Sequence, residues 1–214
     1  MGLGVWTHGF ANALADSPPE RLDHLRDQLR SLNDLLLGEG FLPHHEATAR
    51  GAAAERDQMG GVPYSFLHHL RRAYARAHKY PDEPLMPAAE DEDPADDEAV
   101  VDLSYTFESH LLCHSDCEGY YVPVDFGEVL FPDEELALSG GMVGSSQALM
   151  RELVYVAPYL GIAFVDGELL DAEIDRIHDD GRDEHSLYRE RLAWLLLYEA
   201  ARVSVANSTI ITFG

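Results

Sequence analysis

The run His110-Leu-Leu-Cys-His-Ser-Asp-Cys-Glu-Gly-Tyr-Tyr-Val-Pro-Val-Asp-Phe126 separates a mixed chain from an all-helical one. Tyr120 to Phe126 alternates well enough to read as a strand. Val100 to Cys113, just upstream, is rich in β-branched and aromatic residues and reads as one or two more. Glu118-Gly119 is then expected to be the tight turn between two antiparallel neighbours. Gly2 to Thr7 and Thr209 to Phe213 add short strands at either end.

Helices fill the remainder. Ser17-Pro18-Pro19-Glu20 reads as a helix start, with Ser17 as cap and Glu20 completing a capping box. Leu22, Leu25, Leu29, Leu32 and Leu36 follow at helical spacing, and Gly38 and Gly40 end the run. Pro63 opens a second helix, Tyr64 to about His78. Its expected inner face is Leu67, Leu70, Tyr74 and Ala77, and its outer face His68, Arg71, Arg72 and Arg76. The loop Gly140 to Ser146 leads into a third helix carrying Leu149, Leu153, Val156 and Leu160, and a shorter one lies around Leu169 to Ile177. His185 to about Ala206, with Trp194-Leu195-Leu196-Leu197, is the most apolar and is expected at the centre. The fold class is therefore α+β, a small antiparallel sheet packed against about four main helices.

With 214 residues the chain is expected to form a single domain, 1–214. Pro81 to Glu98 interrupts it with nine acids, four prolines and no base, and reads as an exposed surface loop. The basic island just before it, His68 to Lys79, is expected to pair with these acids.

The charge balance is far from neutral, 39 acids against 15 bases and a formal net charge of −24. Such a field repels a nucleic-acid backbone and an anionic membrane, and it attracts a basic protein partner. The expected partners are accordingly a basic protein, with no nucleic acid and no membrane. Lys79 is the single lysine, a usage that points to a GC-rich bacterial genome and removes most lysine chemistry. No leader, lipidation motif or apolar run of membrane-spanning length is present in the sequence given, so a cytoplasmic location is expected.

Four stretches together resemble an uncharacterised family of bacterial hypothetical proteins. They are Pro63 to Arg72 (PYSFLHHLRR), His110 to Phe126, Gly140 to Leu149 (GGMVGSSQAL) and the tail Trp194 to Phe213. The resemblance implies a bacterial source and supplies no catalytic residue.

The chemistry-bearing residues concentrate between Glu108 and Tyr121. If that segment is extended, His110, His114 and Asp116 share one face and could hold a divalent metal such as zinc, with Glu118 as the catalytic base. Cys113 and Cys117, four apart, do not match a zinc-ribbon spacing, and a thiol nucleophile is a further reading. Ser145 and Ser146 enter a helix where free N–H groups favour an anionic cofactor, although no P-loop lysine accompanies them; an N-cap is the plainer role. Glu199 and Arg202, three apart on the last helix, are expected to pair. Two functions follow. One is a non-catalytic binding protein, inhibitor- or immunity-like, for a basic partner. The other is a metal-dependent hydrolase-like enzyme centred on His110 to Tyr121. They differ in whether those side chains converge in one cleft.

Overall fold

The computed structural model describes residues 2–7, 18–47, 51–54, 56, 61–89, 91–180 and 186–213. The elements in chain order are β1 (Gly2–Leu3), β2 (Val5–Trp6), α1 (Pro19–Gly38), β3 (Val62–Pro63), α2 (Tyr64–Lys79), α3 (Glu98–Ser104), β4 (Gly119–Val122), β5 (Val143–Ser145), α4 (Ser146–Val156), α5 (Asp171–Asp179), α6 (Tyr188–Asn207) and β6 (Ile211–Phe213). The fold is α+β, as the sequence indicates.

The sheets differ from a simple hairpin. β1 pairs with β3, and a second sheet runs in the order β2-β6-β4-β5. β4 is antiparallel to β6 but parallel to β5, with Tyr120 opposite both Thr212 and Val143. The expected Glu118-Gly119 hairpin is therefore corrected, because β4 finds its partners far along the chain. Val100 to Cys113 is also corrected. Asp97 accepts a hydrogen bond from the Ala99 amide at 2.9 Å and starts α3, so a cap overrides the β-propensity of Val100 and Val101. Turns then carry the chain from Tyr105 to Glu118.

Two apolar clusters meet at β4, and period-two alternation divides its side chains between them. Tyr121 joins the larger cluster with α2, α4 and α6, while Tyr120 and Val122 join Leu32, Leu35 and Leu36 of α1. α6 lies at the centre. Trp194 and Leu195 are fully buried, and the indole N–H donates to the Leu153 carbonyl of α4 at 2.7 Å. α1 begins at Pro19 after an extended Pro18, and ends where the Phe41 amide returns to the Leu36 carbonyl at 2.8 Å. The Ser17 cap and the His185 start lie outside the described residues.

Among its described residues, the acidic segment 81–98 has no strand and only a single 3-10 turn, Pro94–Asp96, before α3 begins. It is nevertheless strapped to the core. Leu85 packs on the larger cluster and Pro94 is buried. The Asp97 carboxylate receives Nε of Arg72 at 3.0 Å and Nε of Arg76 at 2.7 Å, and Arg72 also donates to the Met86 carbonyl at 2.9 Å. Arg71 and Arg72, expected on the outer face of α2, are buried. They turn inward because fixed acceptors wait there.

Asp97→Ala would strip the carboxylate from buried Arg72 and is expected to cost about 3–5 kcal/mol. Neutralising the exposed Asp91 and Glu92 should change stability by less than about 0.5 kcal/mol. Urea unfolding of the two variants checks both, and equal effects would show the segment to be held evenly along its length.

Candidate functional site

The segment 110–118 is wound rather than extended, and Arg71 is the reason. Its guanidinium donates from Nε to the Leu111 carbonyl at 2.8 Å, from Nη2 to the His114 carbonyl, and from Nη1 to the Asp116 carboxylate. His68 lies 3.4 Å from the other oxygen of Asp116. From the opposite side Glu152 of α4 accepts the His110 amide at 2.8 Å, the Leu111 amide at 2.7 Å and the Ser109 hydroxyl at 3.1 Å. A buried cation gathers the loop's carbonyls and a carboxylate gathers its amides, so its backbone groups are satisfied without a strand.

That winding separates the proposed ligands. His114 lies flat against Tyr121, with ring centroids 4.1 Å apart, and both its nitrogens face carbonyls, of Ser115 at 3.0 Å and Tyr120 at 3.2 Å. The His110 Nδ1 accepts the Ser145 amide at 2.9 Å, and its buried Nε2 has no hydrogen-bond partner among the described residues. Asp116 belongs to Arg71. Among the described residues, no three His, Cys, Asp or Glu come together in a way that could hold a metal ion. The shared face expected for His110, His114 and Asp116 is thus corrected. Glu118 is exposed, and its carboxylate makes no hydrogen bond or ion pair among the described residues. Ser145 and Ser146 are wholly buried. The Ser145 hydroxyl accepts the Ala148 amide at 3.1 Å and caps α4, while the Ser146 hydroxyl meets that of Ser204 at 2.7 Å. An anion has no approach to either. Burial pushes the Cys113 thiol up, away from thiolate character, and Cys117 is exposed.

Burial also sets the charge states here. It pushes both His110 and His114 down to about 4, so the imidazoles are neutral. It pushes Glu152 up to about 7, against the three donors that favour its ionised form. Gly119 fits the same packing. At φ +118° it holds a conformation that side chains avoid, and an added Cβ would stand 3.0 Å from the His114 ring. Sequence reading missed Arg71 as a clamp and Glu152 altogether. The signal for Glu152 was its position three after Leu149 and four before Val156, an acid on the apolar stripe of α4.

The outer surface has a different character. Among the described side chains, the lysine and ten arginines form an ion pair with a carboxylate of the same chain. Arg189 bonds the His69 ring at 3.1 Å and the Tyr188 hydroxyl at 3.2 Å. Glu199 shows how far this goes. It is buried between Arg56 and Arg202, each at 2.7 Å, which hold its carboxyl down at about 2 despite burial. The expected Glu199–Arg202 pair is present, with Arg56 as an unforeseen second cation. Many exposed acids have no such partner among the described residues, including Asp133, Glu134 and Glu135 in one run and Asp175 and Asp179 on α5. Asp171, Asp175 and Asp179 recur every fourth residue, which sets exposed carboxylates about 6 Å apart along one helix face, with Asp171 paired to Arg56 at 3.3 Å.

Such a surface belongs to an acidic binding protein. The chain belongs to the family described as "Putative DNA-mimic protein", whose profile it matches over residues 1–213. No curated protein and no solved structure matches it. The family corrects one expectation. Nucleic acid was excluded from the chain's partnerships on the ground of repulsion, yet a mimic is related to DNA by resembling it, and its partners are proteins that bind DNA. Repulsion from a nucleic-acid backbone is no argument against sharing a binding site with it. No described helix is long and apolar enough to cross a membrane.

The buried groups of the 110–121 region give a pH dependence whose sign can be worked out. Between pH of about 4.5 and 6.5 the unfolded chain protonates both histidines, whereas the folded chain protonates Glu152 alone. The unfolded state then binds about one more proton, so stability rises with pH across that window, by about 1–3 kcal/mol. Urea midpoints at pH 5 and pH 6.5 check it, and a higher midpoint at pH 5 would contradict these assignments.

Proposed function

We propose that this chain binds, without catalysis, to a protein that itself binds DNA, and that it occupies that protein's DNA site. The observation that carries this reading is the pairing of the described cations within the chain. With nearly every described base paired inside the chain, the exposed carboxylates present a field of one sign. A DNA-binding face is built to receive a run of anions, chiefly through arginine and lysine contacts to phosphates. The row Asp171, Asp175 and Asp179 supplies regularly spaced anions on a rigid helix, which favours association through steering and register. Membership of the DNA-mimic family supports the same reading. The action is inhibitor-like or immunity-like, and a cytoplasmic location suits a partner that binds DNA.

The test uses the purified full chain as bait at about 0.1 M salt, where the Debye length is about 10 Å. A retained protein is expected to bind labelled duplex DNA by itself, and the chain and the duplex should displace each other. Replacing Asp171, Asp175 and Asp179 together by Asn should weaken the complex roughly tenfold, from about 0.2–1 kcal/mol for each exposed charge pair. A retained protein that holds chain and duplex simultaneously contradicts the proposal.

A further inference from the structure

Phe107 and Phe131 form an exposed aromatic pair. Their rings stand edge to face at 89°, with centroids 5.5 Å apart, and the residues are 53% and 48% exposed. Chance exposure of two phenylalanines is common enough, but two features set this pair apart. Phe107 holds a φ of +56°, a left-handed conformation that is an outlier for a bulky side chain and carries an energetic cost. The backbone is held there by short-range bonds, from the Phe107 amide to the Ser104 carbonyl at 3.4 Å and from the Thr106 hydroxyl to the Leu103 carbonyl at 2.9 Å. Phe131 follows Leu130, which exchanges both backbone hydrogen bonds with Val143 of β5 at 2.9 and 3.0 Å. Both rings therefore stand on fixed backbone, and they contact each other rather than the core.

The chain around them is acidic. Glu108 adjoins Phe107, and Asp133, Glu134 and Glu135 follow Phe131; all four are exposed, and their carboxylates have no partner among the described residues. Aromatic faces bordered by carboxylates match one side chain best. An arginine guanidinium stacks on a ring and offers a planar fork to a carboxylate, while a lysine ammonium is more strongly hydrated and has no plane to stack. Rigid aromatic anchors ringed by polar groups are also where binding energy concentrates.

We propose that the Phe107–Phe131 pair, together with the exposed acids that flank it in sequence, receives an arginine from the DNA-contacting face of the partner protein. This deepens the function proposed above and rests on it. It adds to anion mimicry a contact that DNA phosphates do not offer, so the chain gains affinity where charge alone would only match DNA.

The experiment measures binding of the full chain to two fluorescent probes of equal charge, nona-arginine and nona-lysine, by anisotropy at about 0.1 M salt. The wild-type chain is expected to bind the arginine probe about fivefold more tightly. The variant Phe107→Ala/Phe131→Ala should lose that preference and keep its affinity for the lysine probe, because every carboxylate remains. Phe107→Gly serves as the second variant. It removes the ring and relieves the backbone, so it should lose most of the preference while melting no lower than wild type. Equal affinities in the wild-type chain, or a preference that survives in both variants, overturns the arginine contact alone. Failure of both probes to bind overturns the acid-faced reading with it.

Discussion

The guanidinium of Arg71 reaches from α2 into the loop 110–116 and bonds two carbonyls and the Asp116 carboxylate. Removing a cation from water is costly, and it is tolerated only where geometry and hydrogen bonds offset the desolvation. Arg71 meets that condition with acceptors on all three donor-bearing nitrogens. Arg72 does so with Asp97 and the Met86 carbonyl. Elsewhere it is the acid that is buried, with Arg56 and Arg202 placed around Glu199. In a chain with so few bases, each cation directed inward is one withdrawn from the surface field. The excess of 39 acids over 15 bases makes the exterior acidic, and the ion pairs that order the loops and straps occupy the few cations that would dilute it.

The sequence made part of this legible. The helix of 64–79 and the central apolar helix were visible because their leucines and alanines recur at helical spacing over several turns. Val100 to Ser104 was misread as strand because one capping carboxylate, Asp97, outweighs two β-branched residues, and a cap is a single-residue signal. The partners of β4 were hidden because parallel pairing with Val143–Ser145 and antiparallel pairing with Ile211–Phe213 join segments far apart in sequence. The pairing of the basic island was foreseen for Arg72, Arg76 and Lys79, whose acids lie just downstream, and missed for Arg71, whose partner Asp116 lies 45 residues on.

The cluster at 110–121 drew attention because imidazole, thiol and carboxylate crowd there, and such groups carry chemistry. In the structure they carry the backbone instead. His114 seats against Tyr121 and Gly119, His110 receives the amide of Ser145, and Asp116 balances Arg71. Density of reactive residue types in one dimension says little about convergence in three. The charge total, which looks like a bulk property, carried more functional information, and it did so only once the pairing of each arginine was known.

The claim that most surface carboxylates are uncompensated, because acids far outnumber bases and the described bases are already paired within the chain, has a direct thermodynamic consequence. Repulsion among exposed like charges lowers stability and is screened by salt, whereas buried pairs are screened far less. The melting temperature at pH 7.5 should therefore rise steadily as sodium chloride is increased from about 0.01 M to 0.5 M, as the Debye length falls from about 30 Å toward 3 Å. A melting temperature that falls with salt would show that exposed ion pairs dominate the surface, and would contradict the account.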